Sequence, residues 1–456
     1  MQSPIENQIL STKYFHNKTP ILIACSGGRD SMALLYAFIQ CKFEKIEVAH
    51  CNCNLRGEES DEEEAFVRNY CKQNHIPFHS KSFQTTAYSK EKNISIEMAA
   101  RELRYHFFEE VRKKRELHLI AVAHHQDDQL ETILLNLLQG TGIHGLKGML
   151  EKNNQIVRPL LKVSREEINQ YISKNNIPYR DDSSNEADDY KRNFIRNQIS
   201  PLLQNINVNY LKEVSDFSER MVETEFLFNE QIQKIRAKTL KPWKEGYELY
   251  IHYLLNHPAC NSLFHEILSP FDLSKKQITE LILTIQGTKK KNASGQQFFS
   301  DSHRFILDKK KLYILPAEVN TTSMLSFEQM PKNISFNEYK ITIRKVPINK
   351  LHIKKSEQYA FLDADKITLP LLITYPQTGD YFYPYGMGKQ KNSEKVGKKK
   401  LNKFFKDISL PIAVRERTPI IKSGEKIIWV VGYRIDDRFK ITEDTKEAIV
   451  FHISKG

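Results

Sequence analysis

The sequence predicts an α/β protein: a parallel sheet covered by helices, followed by a mainly helical region and a small α+β C-terminal unit. Three observations carry this. Short apolar runs alternate with helix-patterned segments over residues 20–150, as in successive βαβ units. Helical spacing dominates residues 160–290. Beyond about residue 356, LPLLITYP, KIIWVVGYRI and AIVFHI read as strands.

Taken in order, Ile21 to Ala24 is a short apolar strand and Ser31 to Cys41 has helical spacing. Ile46 to Ala49 is strand-like, Asp61 to Asn74 helical, and Ile76 to His79 begins an extended piece. A long helix spans Ile96 to Lys114, then the strand Leu119 to Ala123 and the helix Asp127 to Gln139. In such sheets ligands bind beyond the carboxyl ends of the strands. CSGGRDS (25–31), HCNCN (50–54) and HHQDD (124–128) each follow an apolar strand, so all three are expected at one sheet edge. Further on, Ser164 is a candidate N-cap with Glu167 three residues later. Tyr210 to Lys238 is a long helix. Extended pieces around Phe298-Phe299 and Leu312 to Leu315, joined through DKKK, predict a hairpin, and 316–355 is strand-like with polar gaps.

The 456 residues suggest about three domains. A 40% hydrophobic and 27% charged composition is that of a globular chain with several cores. The net charge of +12 favours a polyanionic partner, though a Lys-rich composition alone produces the same balance. No apolar run approaches the roughly 18 residues that span a bilayer, and MQSPIENQILSTKYF lacks a signal-peptide pattern. Six cysteines, none in a C-x-x-C pair, read as reduced thiols of a cytoplasmic protein.

CSGGRDS ends neither as a Walker A loop nor as G-x-G-x-x-G. Its glycines would still let backbone N–H groups approach an anion, with the following helix directing its positive end there. Ser26 and Ser31 would add hydroxyls, and Asp30 would fit as a Mg²⁺ ligand. The alternative is a Gly-rich turn with Asp30 as helix cap. In AHHQDDQLET, His124, Asp128 and Glu131 are spaced four and three apart. If the helix starts that early, they share one face. Such a group suits a metal, a cationic amine or acid–base work.

SGGRDS after a strand resembles the signature of the PP-loop, or N-type, ATP pyrophosphatases, which cleave ATP between the α and β phosphates. AHHQDDQLET with the following GTGIHGLKGM resembles the tRNA(Ile)-lysidine synthetases. Further stretches match that family in order: AHCNCNLRGEES (49–60), AARELRYHFF (99–108), and 158–203 with its D-x-S-N before Y-x-R-N-x-x-R. GDYFYPYG (379–386), KKKLNKFFKD (398–407), SLPIAVRERTP (409–419) and IIWVVGYRID (427–436) follow. One departure is Cys53, where the family usually has a second His. On this basis 1–215 is expected to be the PP-loop domain and 216–320 a helical domain. A connector over 321–355 then leads to a tRNA-binding domain over 356–456.

The resemblance implies a two-step ligation. The C2 oxygen of the wobble cytidine in a CAU-anticodon isoleucine tRNA attacks the α-phosphate of ATP; free L-lysine then replaces AMP through its ε-amine. Ser26, Gly27, Gly28, Arg29, Asp30 and Ser31 are expected to bind ATP, with Asp30 on Mg²⁺. Asp128 and Glu131 are expected to hold lysine. Asp30, His124, Arg104 and Arg196 are expected to be catalytic, with His124 or a carboxylate as base. The run 389–406 holds eight Lys and one Glu; Lys398, Lys399, Lys400, Lys403, Arg415 and Arg417 are expected to meet tRNA. The oligomeric state stays open, a homodimer included. Three rivals remain: a tRNA 2-thiolation enzyme on the same scaffold, an amidotransferase-like synthetase, and a non-catalytic RNA-binding protein with a decayed loop.

Overall fold

The structure is a computed structural model; it describes residues 3–55, 57–180, 190–287, 295–308, 310–317, 323–354, 356–386 and 397–455. The D-x-S-N stretch at 182–185 and residues 389–396 of the lysine run lie outside the described residues. The chain divides into two units, 1–229 and 230–456.

The first unit begins with helix α1 (Pro4–Ser11), strand β1 (Ile21–Ala24) and α2 (Arg29–Gln40). It continues through β2 (Ile46–Asn52), α3 (Glu58–Gln73), β3 (Phe78–Ser82), α4 (Thr85–Lys92) and α5 (Ile96–Lys114). Then come β4 (Leu119–Ala121), α6 (Gln126–Leu138), α7 (Ile143–Leu146), β5 (Lys152–Asn153) and β6 (Ile156–Val157). Helices α8 (Arg165–Asn175), α9 (Tyr190–Phe194), α10 (Ser200–Ile206) and α11 (Tyr210–Thr239) follow, with a π-helical turn at Ile195–Ile199.

The strands make one sheet in the order β3-β2-β1-β4-β6-β5. Its neighbours pair in parallel, except the short edge strand β5. Side-chain alternation along β1 explains why the sheet is covered on both faces. Ile21 and Ile23 pack with Met32, Leu35 and Phe38 of α2 and Ile168 and Ile172 of α8. Leu22 points the other way, into Ala49, Ile120 and the α5 residues Phe107, Phe108 and Val111. Burying such a side chain contributes about 1.5–3 kcal/mol, and both faces of β1 gain it, so an all-apolar strand is stable only here, at the sheet centre.

Caps set the helix starts. Ser95 accepts from the Met98 N–H at the start of α5. The predicted box is present at α8: Ser164 Oγ accepts from Glu167 N at 3.2 Å, and Glu167 Oε2 accepts from Ser164 N at 2.8 Å. Helix α2 starts at Arg29 rather than Ser31, because Gly28 already has the extended backbone of an N-cap. Helix α6 starts at Gln126, so His124 stands before the helix and shares no helical face with Asp128 and Glu131.

In the second unit, Leu240–Trp243, Gly246–Tyr250, Lys311–Pro316, His303–Asp308 and Gln297–Phe299 form a five-stranded antiparallel sheet. Helices Ile251–Leu255, Cys260–Leu268 and Lys275–Gln286 lie between its strands in sequence. The expected antiparallel pair is there, but it joins His303–Asp308 to Lys311–Pro316; the Phe298-Phe299 piece is the next strand out. The first two strands fall inside the region read as helical. Lys244, at φ +51, and Glu245 make the tight turn that joins them. Beyond residue 323, a five-stranded and a four-stranded antiparallel sheet share one core, with Ile373, Ile421 and Trp429 from one meeting Ile341, Ile449 and Phe451 from the other. No described helix is long and apolar enough to cross a membrane.

Candidate active site

The three motif segments meet as expected. A cavity of about 440 Å³ lies beyond the carboxyl ends of β1, β2 and β4. It is lined by Ser26 to Ser31 (except Gly27), by Cys51 and Cys53, and by His124 and Asp128. Helix α5 contributes Glu97, Arg101, Arg104, Tyr105 and Phe108, which its repeat turns to one side.

In the loop, Gly27 has φ +93, and a Cβ there would meet Val67 Cγ2 at 3.1 Å. Only glycine fits this conformation without strain. Ser31 Oγ accepts from Gly27 N at 3.2 Å and donates to Gly28 O at 2.9 Å; Ser26 Oγ accepts from Gly28 N at 3.3 Å. Both hydroxyls therefore brace the turn. Cys25 packs behind it, fully buried, and burial pushes its thiol up. Arg29 donates to Asn169 Oδ1 at 3.1 Å and lies 4.9 Å over the Tyr179 ring.

His125 links the loop to α6. Its Nε2 is 3.6 Å from Asp30 Oδ2 and 3.6 Å from Asp128 Oδ2, and its Nδ1 is 3.6 Å from Asp127 Oδ2. Burial opposes a charge here, but Asp128, Asp127 and Asp30 outweigh it and push the imidazole up to about 10. The backbone supports the same cluster: His125 N donates to Asp128 Oδ2 at 3.0 Å and Arg165 N to Asp127 Oδ2 at 2.9 Å. Burial would raise Asp30, but His125, Arg165 and Arg196 hold its carboxyl below the usual range. Asp30 Oδ1 is buried without a hydrogen-bond partner among the described residues.

His124 is the opposite case. Arg158 Nε donates to its Nδ1 at 3.2 Å. Burial, with Arg158, Arg101 and His125 as positive neighbours, lowers it to about 4 against the opposing pull of Asp128. The ring is therefore neutral, with its proton on Nε2 and its Nδ1 lone pair occupied.

Arg196 lies in the π-helical turn, a distortion frequent at functional sites. Its Nε donates to Glu131 Oε1 at 2.8 Å, and its Nη2 lies 3.4 Å from Asp128 Oδ1. Asp128 lines the cavity, whereas Glu131 is 3% exposed and does not. The expected acid pair is thus unequal: Glu131 lies beneath Arg196 rather than open to a ligand. Burial raises its carboxyl, and Arg196 only partly offsets this. Arg104 lines the cavity, with Nε donating to Ala100 O at 3.2 Å. Arg29, Arg101, Arg104, Arg165, Arg180, Arg192 and Arg196 face the cavity against the carboxylates Asp30, Glu97 and Asp128, a surplus suited to a polyphosphate.

Sequence reasoning missed His125, Arg101 and Arg158. His125 adjoins a residue singled out, and Arg101 stands three residues before Arg104 on the same helical face; either signal was available. Arg158 reaches the site only through the chain after β6, which no local pattern reveals.

In the second unit the expected tRNA-facing residues separate. Helix Leu401–Asp407 buries Leu401, Phe404 and Phe405 and leaves Lys403 exposed. Lys398 is exposed, with Nζ 3.5 Å over the Tyr381 ring, and Lys400 is exposed. Lys399 is paired with Asp407, and Arg415 Nε donates to Leu410 O at 2.6 Å. Arg417 corrects the expectation: it is 6% exposed, pairs with Glu245 at 3.0 Å and lies over Trp243, so it packs the unit's interior.

Comparison with known proteins finds three family matches along the chain. Residues 1–203 match the PP-loop domain, 243–317 the TilS substrate binding domain and 371–452 the TilS substrate C-terminal domain. The chain is 37% identical over 437 residues to the tRNA(Ile)-lysidine synthase of Parabacteroides distasonis, covering 94% of each chain. It is 37% identical over 433 residues to that of Bacteroides thetaiotaomicron, covering 95% of each, and 36% over 445 residues to that of Porphyromonas gingivalis, covering 94% of each. Matches of that identity, running nearly end to end through all three domains, mean that the chain belongs to the tRNA(Ile)-lysidine synthase family.

Proposed function

We propose that this chain joins free L-lysine to C2 of the wobble cytidine of a CAU-anticodon isoleucine tRNA, at the expense of ATP. The observation that carries this is the meeting of the SGGRDS loop, the α6 start and a ring of arginines on one cavity. In the first step the cytidine O2 attacks the α-phosphorus and pyrophosphate leaves. In the second, the lysine ε-amine attacks C2 and AMP leaves with that oxygen. An anticodon loop presents its base unstacked at low cost.

Each residue has a task in this scheme. The backbone amides that open α2, from Arg29 to Ser31, favour the phosphates, with Arg104 and Arg196 countering charge that develops there. Asp30 fits a divalent cation through its unpartnered Oδ1. No group of three or more candidate ligands occurs among the described residues, so the nucleotide and water would complete the shell, as is usual for Mg²⁺. Such an ion supplies charge neutralisation at the phosphates. Asp128 faces the cavity and takes the lysine ammonium; Glu131 contributes by holding Arg196. With Nδ1 of His124 occupied, the proton of the attacking amine goes to a carboxylate, Asp128 being the one in the first turn of α6 that lines the cavity.

Thiolation on this scaffold fits less well, since burial pushes the Cys25 and Cys51 thiols up and keeps them protonated. The test is incubation with ATP, Mg²⁺, labelled lysine and unmodified CAU isoleucine tRNA. Label at the wobble cytidine with stoichiometric AMP is expected. Sulfur entering the tRNA, or no lysine-dependent AMP, overturns the reading.

A further inference from the structure

Arg158 does not itself line the cavity and has no task in the scheme above. It is 7% exposed, and the titratable groups acting on it are Tyr105 and Arg101, with no carboxylate among them. An arginine so deeply buried is ordinarily paired. Its donors go instead to neutral acceptors: Nε to His124 Nδ1 at 3.2 Å and Nη1 to Leu150 O at 2.8 Å, with the Tyr105 side chain a further hydrogen-bond partner. We propose that Arg158 is a positioning residue that fixes His124 as a neutral Nε2–H donor turned to the cavity.

The geometry carries this. Arginine has no acceptor, so the bond to Nδ1 has one sense only. That bond excludes a proton on Nδ1 and leaves Nε2 as the protonated atom. His124 lines the cavity, and Nε2 has no protein partner among the described residues, so its N–H is free for a phosphoryl or base oxygen. The groups facing His124 are Asp128 from α6, Arg101 from α5, His125 beside it, and Arg158 from the chain after β6. Three of these four oppose a positive ring. Two adjacent histidines are thereby driven apart, His125 to the charged form and His124 to the neutral form, the separation by which sites assign opposite proton roles. A donor that keeps one protonation state across physiological pH spends nothing on reorganisation when charge develops.

This rests on the functional reading given above, but one arm of its test does not. The full chain is labelled at histidine with ¹⁵N and ¹³C, and His124 is assigned by loss of its signals in His124→Gln. Expected is a protonated Nε2, an accepting Nδ1, and no titration down to about pH 5, well under the ordinary value near 6.5. In Arg158→Met the ring should mix tautomers and titrate at least about one pH unit higher. Arg158→Lys, which keeps a charge and a donor, should fall between and guards against a misfolded Met variant. A proton on Nδ1 in the wild type, or tautomer and titration unchanged in both variants, overturns the proposal.

The second arm is the pH profile of ATP–pyrophosphate exchange in the presence of tRNA. Arg158→Met should lose about tenfold more rate near pH 5.5 than near pH 7.5, as His124 acquires a charge. Placing Arg158→Met in a His124→Gln background should abolish that extra acid loss, since the amide keeps an N–H donor without titrating. A loss equal at both pH values overturns the proposal. Absence of exchange in the wild type defeats the functional reading, while the resonance arm still decides the pairing.

Discussion

Replacing Arg196 by alanine tests the buried electrostatics of the site. Arg196 is the cation that compensates Glu131, whose side chain is 3% exposed. At the 2.8 Å separation of Nε and Oε1, and with an effective dielectric near 20, attraction between unit charges is about 6 kcal/mol. Arg196 is itself 23% exposed, and removing it also restores its hydration. The net loss is then at the low end for breaking a buried pair, about 3 kcal/mol. That corresponds to a fall of about 6–12 °C in the melting transition of a unit of this size. The sign with pH follows from Glu131, whose carboxyl burial already raises. A raised folded-state pKa means that stability is full below the ordinary carboxyl value near 4.3 and is lost as pH rises through the folded value. Deleting Arg196 raises that value further, so the deficit against wild type should be largest near pH 8 and under half as large near pH 5. Scanning calorimetry at both pH values measures it. Adding Glu131→Gln to Arg196→Ala should recover most of the loss. An equal deficit at both pH values, or no recovery in the double variant, would refute the electrostatic account.

Three further outcomes are expected. Asp30→Ala should lower ATP–pyrophosphate exchange by about 10²–10³ while leaving thermal stability within about 1 kcal/mol, since it also removes an unpartnered buried oxygen; exchange within threefold of wild type would remove Asp30 from the site. Gly27→Ala, forced to φ +93 and a 3.1 Å contact with Val67, should cost about 1–3 kcal/mol and raise the KM for ATP. Gly28→Ala, which would meet only Ser26 Oγ at 3.4 Å, should fold normally, and equal destabilisation of the two would contradict the loop geometry. Replacing Lys398, Lys400 or Lys403 by glutamine should each lower the salt slope of tRNA binding by about one. Lys399→Gln and Arg417→Gln should leave it unchanged, because Asp407 and Glu245 already engage them.

Side-chain alternation and capping act over a few residues, and what depends on them was legible. The strand Ile21–Ala24, the helix Ile96–Lys114 and the capping box at Ser164 lie where pattern alone puts them. The convergence of three motifs at one sheet edge followed as well, since parallel βαβ connections bring every strand's carboxyl end to the same side. The hairpin of Leu240–Trp243 and Gly246–Tyr250 was missed, because its strands are short and adjoin a long helix whose periodicity masks them.

The sequence by itself determined which residues bear charge, which segments are strands or helices, and that SGGRDS and HHQDD share an edge. Only the tertiary structure decided the state of each group there. Whether a histidine is charged depends on what surrounds it through space. His125 stands among three carboxylates contributed by α2 and α6 and is driven to the cation, while its neighbour His124 meets Arg158, brought from beyond β6, and is driven neutral. Glu131 matches its motif in spacing but lies buried beneath an arginine 65 residues away in sequence. Spacing along a chain sets which side chains can share a face. Burial and the field of distant partners set what they can do.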